Sequence, residues 1–308
     1  MRIVVLGTSS ARPTLRRNVS ATAVEVEGET VLFDCGEGTQ RQALRAGIRF
    51  SRLSLVAITH LHGDHVNGLF GLLGTLVLDG RERPLRLVGP PGLGRLVEMG
   101  RALRLFSPNY RLEVREFSGA AEVFRGDGFR VHAQPLNHLI QTQGYCLVED
   151  DRPGRFDVAR ALELGVPAGP LYGLLQHGEE IRLGDGRIVT PGQVLGATRR
   201  GRRVAYCLDT RPCEGGVILG RDATLLIHES TFGDDATIEA AEYGHSTARQ
   251  AAAIAKRAGA ARLLLTHFSS RYAEPDMPRL LAEAREVFPE TLLAEDLCAI
   301  DLGPAPPG

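Results

Sequence analysis

The sequence predicts a layered α/β protein, and three observations carry that reading. Short apolar runs of strand length recur along the chain, stretches with helical spacing lie between them, and several apolar runs end in a histidine or an acidic residue. With 308 residues, 43% of them hydrophobic and 24% charged, the chain can bury a sizeable core as one large domain or two small ones.

The elements follow in order. Arg2–Leu6 is an apolar run stopped by Gly7-Thr8-Ser9, too short for a signal-peptide core. Ala21–Val26, a turn at Gly28-Glu29, and Val31–Asp34 read as paired strands. Gln40 to Gly47 has helical spacing, with Leu44 expected inward and arginines outward. Leu53–Ile58 is a buried strand, and a helix from about Val66 to Leu78 follows, with Asp64 a favourable acidic neighbour of its N-terminus. That run is too short to span a bilayer, so a cytoplasmic chain without a membrane partner is expected. In the second half the strands around Gly144–Val148, Val204–Leu208, Thr224–Ile227 and Arg262–Leu265 repeat one device: the last three end before Asp209, before His228 and Glu229, and before Thr266 and His267. Strand-end loops of layered α/β proteins gather on one face, so these residues are expected to converge. Ser246 is the expected cap of an alanine-rich helix to Ala258, stopped by Gly259.

Pro153 to Gly192 stands apart, with eight glycines and four prolines in a segment too long for an ordinary connection. It reads as an inserted arm in a domain spanning 1–308. The proline-rich tail from Gly303 is expected to be disordered.

The chemistry is concentrated in Thr59-His60-Leu61-His62-Gly63-Asp64-His65, three imidazoles and a carboxylate directly after an apolar strand. Alternation in an extended segment aims His60 and His62 the same way, and Asp64 and His65 turn back toward the same point. That is metal-ligand spacing. It is neither a helix-borne His-Glu-x-x-His nor a zinc-deaminase pattern, which needs a Cys-x-x-Cys partner. The five cysteines (Cys35, Cys146, Cys207, Cys213, Cys298) form no such pair and read as reduced thiols. His132 and His177 match no motif. The net charge of −1 does not advertise a nucleic-acid partner, although 35 of the 36 basic residues are arginine, Lys256 being the exception.

These residues resemble the metallo-β-lactamase superfamily, with its His-x-His-x-Asp-His motif, and within it the ribonuclease Z family. The further likeness lies in Asp34-Cys35-Gly36-Glu37-Gly38-Thr39-Gln40-Arg41-Gln42, Gly165-Val166-Pro167-Ala168-Gly169-Pro170, Asp209-Thr210-Arg211, His228-Glu229-Ser230-Thr231, Gly244-His245-Ser246-Thr247 and Thr266-His267-Phe268-Ser269-Ser270-Arg271-Tyr272. The resemblance implies a four-layer αβ/βα sandwich with an inserted flexible arm. It also implies two Zn²⁺ per chain, one on His60, His62 and His138 and one on Asp64, His65 and His267, bridged by Asp209. It gives His245 the task of protonating the leaving 3′-oxygen, Glu229 that of its partner, and Asp64 a further role in orienting the attacking hydroxide. The implied activity is removal of the 3′ trailer from precursor tRNA by a homodimer whose arm grips the tRNA body. Arg17, Asn18, Gly169 and Pro170 are the implied substrate contacts. Two residues depart from the family pattern: Leu208 stands where glycine precedes the bridging aspartate, and Leu15 where the Pro-x-Lys-x-Arg-Asn loop has lysine. The rival readings are a small-molecule hydrolase of the superfamily (phosphodiesterase, arylsulfatase or lactonase) and a metal-stabilised RNA-binding protein without catalysis.

Overall fold

A computed structural model describes residues 1–303; the tail expected to be disordered lies, beyond Gly303, outside the described residues. The chain forms two compact units, Met1–Val148 with Arg203–Gly303, and Glu149–Arg202.

The first unit is built on two seven-stranded sheets. Its first sheet joins β1 (Arg2–Gly7), β2 (Ala21–Val26), β3 (Glu29–Phe33), β4 (Leu53–Ala57), β5 (Leu85–Gly89) and β6 (Leu112–Glu116). The second begins with β7 (Ala121–Arg125), β8 (Phe129–Pro135) and β9 (Gln143–Glu149). The hairpin of β10 (Ile181–Arg182) and β11 (Ile188–Val189) belongs to the second unit. The second sheet continues with β12 (Arg203–Cys207), β13 (Leu225–Glu229), β14 (Leu263–Thr266) and β15 (Thr291–Leu293), while β16 (Ala299–Asp301) edges the first.

Alternation along the strands sorts side chains into layers. Ile3, Val5, Leu55 and Ala57 join Tyr145, Leu147, Tyr206, Ile227 and Leu264 in a core between the sheets. Their neighbours Val4, Leu6, Val56 and Ile58 face helices on one outer side, and Leu226, Leu263 and Leu265 face helices on the other. Each such side chain, fully buried, contributes about 1.5–3 kcal/mol. This is the expected αβ/βα sandwich. Two tyrosines tie its halves together: Tyr145 and Tyr206 stack on Phe33 at 5.8 and 5.2 Å between centroids. Their hydroxyls donate to the Ile58 carbonyl (2.6 Å) and to Asp34 (3.1 Å).

Strands β3 to β6 run parallel, as do β12 to β15. In each set the C-terminal ends therefore open on one edge, where the chemical residues emerge. Register adds precision, because Glu229 of β13 lies opposite Thr266 of β14, one residue before His267.

Three local expectations need correction. Leu44 is exposed; the helix Thr39–Arg45 buries Thr39, Gln42 and Ala43 instead, because Gln42 reaches the Leu6 carbonyl (2.9 Å). The helix expected from Val66 is two, Gly63–Val66 and Leu69–Leu78, broken where a Cβ on Gly68 would stand 2.0 Å from the Gly36 carbonyl oxygen. The cap of the helix Ala248–Ala258 is Thr247, in a capping box with Gln250, while Ser246 donates to the Thr210 carbonyl at 2.7 Å.

The second unit extends past 153–192 on both sides and has a core of its own: Ala161, Val166, Leu175, Ile181, Val189 and Val194. Its glycines and prolines mark caps and turns. Asp157 caps the helix Val158–Glu163, and Pro170 opens the helix Pro170–Gln176 directly after Gly169. All five cysteines are free thiols. Among the described residues no helix is long and apolar enough to cross a membrane.

Candidate metal centre

Four strand ends supply the site. His60, His62, Asp64 and His65 follow β4, Asp209 follows β12, Glu229 ends β13 and His267 follows β14. His138 comes from the loop between β8 and β9, and His245 from the turn before the Thr247-capped helix. The loop after β3 seats the histidine segment: Cys35 N–H donates to the His65 carbonyl at 2.8 Å, and a Cβ on Gly36 would come within 2.2 Å of the Asp64 carbonyl oxygen.

Two clusters of side chains that could hold a metal ion result, His60, His62, His138 with Asp209, and Asp64, His65, His267 with Asp209. In the first, His62 Nδ1 lies 2.9 Å from His60 Nε2 and 3.4 Å from His138 Nε2. Asp209 Oδ2 is 3.6 Å from His60 Nε2. In the second, His65 Nε2 and His267 Nε2 are 3.2 Å apart, and Asp64 Oδ2 is 3.4 Å from both. Asp209 turns its other oxygen here, with Oδ1 3.1 Å from His267 Nε2 and 3.4 Å from His65 Nε2. Ligands about 2.0–2.1 Å from a tetrahedral ion stand roughly 3.3 Å apart, the spacing seen here.

The surroundings fix which nitrogen is free. Asp34 only accepts, so His65 Nδ1–H donates to it (2.8 Å) and Nε2 carries the lone pair into the cluster. The Thr59 hydroxyl donates to Asp34 (2.9 Å), and its oxygen accepts from His60 Nδ1 (3.0 Å). The Thr231 hydroxyl donates to Glu229 (2.7 Å) and accepts from His267 Nδ1 (2.9 Å). His138 Nδ1 donates to the Gly244 carbonyl at 2.8 Å. Four imidazoles, those of His60, His65, His138 and His267, thus present Nε2 lone pairs, and none needs a proton there.

Electrostatics point the same way. Burial, reinforced by the charge of His65, holds His60 well below the ordinary imidazole range, the neutral form a cation requires. Burial would also lower His65, but Asp209, Asp34 and Asp64 outweigh it and raise its affinity for a proton. Burial would raise Asp209, yet the histidines around it keep it ionised, and its Oδ1 is buried without a hydrogen-bond partner. An ionised, unsatisfied carboxylate oxygen between imidazole lone pairs calls for positive charge. The residues fit divalent cations in both clusters.

His245 stands at the corner, its ring centroid 5.1 Å from that of His138 and 5.6 Å from that of His267. Its Nδ1 donates to Glu229 Oε1 at 2.9 Å. Burial opposes its charge, but Glu229 and Asp209 raise its pKa to about 9. Glu229, fully buried, also accepts from the backbone N–H groups of Thr210 (2.8 Å), Thr231 (3.1 Å) and Ser246 (3.1 Å).

The remaining candidates are placed differently. Arg17 is held by Glu274 (3.0 Å) and the Tyr272 carbonyl (3.3 Å), and Asn18 by Asp296 and the Glu37 carbonyl. Both secure the loop that presents Ala11 N–H to Asp64 Oδ2 at 2.8 Å. Gly169 and Pro170 lie in the second unit. His132 and His177 do not join the site. Sequence reasoning gave no role to Asp34, Thr231 or Tyr206, although the first two lie inside the quoted motifs.

Comparison with known proteins gives the family of the chain. Residues 1–94 match the family model of the anti-Pycsar protein Apyc1, and residues 173–268 that of the β-lactamase superfamily domain. Ribonuclease Z of Myxococcus xanthus (strain DK1622) is 49% identical over 288 residues, 94% of this chain and 93% of that protein. The chain belongs to the ribonuclease Z family. Ribonuclease Z of Methanosarcina acetivorans is 42% identical, with 98% of each chain covered. The crystal structure of human tRNase Z, short form, superposes with a TM-score of 0.72 at 30% identity, over 98% of this chain and all of that one. A likeness to a diphosphatase of the PhnP family (TM-score 0.62, 17% identity, 99% of this chain and 98% of that one) reflects the shared fold alone.

Proposed function

We propose that this ribonuclease Z removes the 3′ trailer from precursor tRNA with two zinc ions per chain, one in each cluster. The observation that carries the proposal is the division of Asp209, one oxygen toward His60 and the other toward His65 and His267. Bound ions would supply Lewis acidity toward the phosphoryl oxygens and acidify the attacking water.

The chain's own groups do the rest. Asp64, its Oδ2 steadied by Ala11 N–H, accepts a hydrogen bond from the attacking water on its other oxygen and so aims the water's lone pair at phosphorus. His245, with Nδ1–H committed to Glu229, offers Nε2 to the substrate. As the P–O3′ bond breaks, its imidazolium proton passes to the departing 3′-oxygen. The products are a tRNA 3′-hydroxyl and a trailer with a 5′-phosphate. Glu229 keeps the imidazolium stable and oriented, its other oxygen held by Thr231.

The second unit is the tRNA-gripping arm in this reading, and the working form is a homodimer in the cytoplasm, as the family resemblance implies. A module with its own core can carry contacts remote from the scissile bond, whose binding energy serves catalysis without touching the metals. Cleavage of a precursor tRNA, with the product 3′ end identified, tests the activity. Replacing 153–192 by a short linker should cut precursor tRNA processing severely and leave hydrolysis of a small phosphodiester nearly intact. Equal loss of both would contradict the arm's role; unchanged tRNA processing would favour a small-molecule substrate.

A further inference from the structure

The root of the second unit, where its two chain ends run side by side, holds a cavity of about 210 Å³ that the reading so far does not use. Four arginines line it, Arg152, Arg199, Arg200 and Arg202, with two carboxylates, Glu149 and Asp150. Arg202 neutralises Glu149 through both of its oxygens, Nε approaching Oε2 at 2.5 Å and Nη2 meeting Oε1. Asp151 stands beside them, accepting from Gly201 N–H at 2.8 Å, and Arg199 and Arg200 follow one another along the cavity wall.

The arrangement runs against local stability. Arg152 and Arg199 exchange backbone hydrogen bonds in both directions at 2.9 Å, which sets them directly opposite one another, a position where like charges destabilise a strand pair. Arg199 Nε is further committed to the Pro153 carbonyl at 3.3 Å, holding its guanidinium over the root. Charge elsewhere in the unit has the opposite sign: 153–198 carries five carboxylates and four arginines. The root segments 149–152 and 199–202 carry four arginines and three carboxylates, so the one net positive charge of this pair of segments lies at the root. Guanidinium forks bind phosphate oxygens in pairs, and the adjacent Arg199 and Arg200 offer two such forks to one anion.

We propose that this root cavity is a phosphate-binding site for the RNA backbone, with Arg199 and Arg200 as its principal donors. The proposal rests on the reading of the second unit as the tRNA-gripping arm and locates part of that grip in its arginine-lined root.

The test measures affinity of the full-length protein for mature tRNA across a salt series, for the parent, R199Q/R200Q and R199K/R200K. R199Q/R200Q should bind at least about tenfold more weakly at low salt, and the slope of log affinity against log salt should flatten by about 1–2. R199K/R200K should bind with an affinity between those of the parent and R199Q/R200Q, keeping the charge and the salt slope while losing the paired contacts. Melting temperatures of both should equal or exceed that of the parent, since repulsion is relieved or unchanged. Unchanged affinity and slope in R199Q/R200Q would overturn the proposal, as would a salt slope in the lysine variant as flat as that of R199Q/R200Q. If inorganic phosphate raises the parent's melting temperature but not that of R199Q/R200Q, while tRNA affinity is unaltered, the cavity takes a free anion and the RNA assignment is wrong. The linker replacement of 153–192 separates the two readings. Where that replacement weakens tRNA processing and R199Q/R200Q leaves tRNA affinity unaltered, only the root site fails; where the replacement itself has no effect, the arm reading fails.

Discussion

On one side of Asp209, His65 and His267 are fully buried, and each has its rear nitrogen fixed by a network: Asp34, Thr59 and Tyr206 behind His65, Thr231 and Glu229 behind His267. On the other side His60 is equally buried and shares Thr59, but His62 is half-buried, its Nδ1 directed at His60 and His138, and His138 is steadied by one backbone carbonyl, that of Gly244. Both pockets have similar ligand spacings, so the difference lies in what stands behind the ligands. Outer hydrogen bonds set ligand orientation and basicity, and losing one typically costs 10–100-fold in metal affinity. The His65/His267 pocket is the stiffer, and the His62/His138 pocket is the one expected to exchange its ion.

Removing the shared group erases the contrast. Asp209→Ala should release both ions and lower precursor tRNA cleavage by more than about 10³-fold, since preorganised charge at the reacting group is lost. Retention of one ion at full occupancy would mean the carboxylate is not shared. Next in size, His245→Ala should keep both ions and lose about 10²–10⁴ in rate, the range of general acid catalysis. An unchanged rate would return His245 to a structural role at the helix start.

The pockets can then be loosened singly. Thr231→Val deletes the hydroxyl behind His267, so affinity for one ion should fall 10–100-fold while the other is held. Gly244→Ala acts on the opposite side: Gly244 has φ +81°, and its Cβ would meet His138 Nδ1 at 2.7 Å. It should loosen the His62/His138 ion and cost about 1 kcal/mol of stability from the left-handed backbone alone. Metal release followed by chelator titration checks both, and loss from the same pocket in the two variants would dissolve the distinction.

How much of this contrast was legible in the sequence depends on the distance over which each feature is encoded. Most candidate ligands announced themselves, because His60 to His65 sit within six positions and Asp209 and His267 follow apolar strands, whereas His138 came only through the family resemblance. Asp34 did not. It too follows a strand, but its contacts with His65 and Tyr206 join residues 31 and 172 positions away, and no local pattern encodes them. Capping went astray by one residue because Ser246 and Thr247 are equally good caps, and only the Thr210 carbonyl, brought alongside by the fold, claims Ser246. The second unit read as glycine- and proline-rich insertion, since six core residues spread over more than thirty positions leave no periodic trace.

A smaller effect concerns the corner between the pockets in the chelated protein. His245 has a pKa of about 9 there, raised above its unfolded value near 6.5 by Glu229 and Asp209 despite burial. A raised imidazolium contributes stability fully below the unfolded value, and that contribution is lost as pH rises through the folded one. The melting temperature of the chelated protein should therefore decline between about pH 6.5 and 9. Glu229→Gln should flatten that decline; an equally steep fall would assign it to other groups.

The most direct test of the dinuclear centre is metal content measured on protein that is actively cleaving precursor tRNA. Two ions per chain, with activity rising in step with the second and more weakly held one, is the expected result. Full activity with a single tightly bound ion per chain would contradict the account.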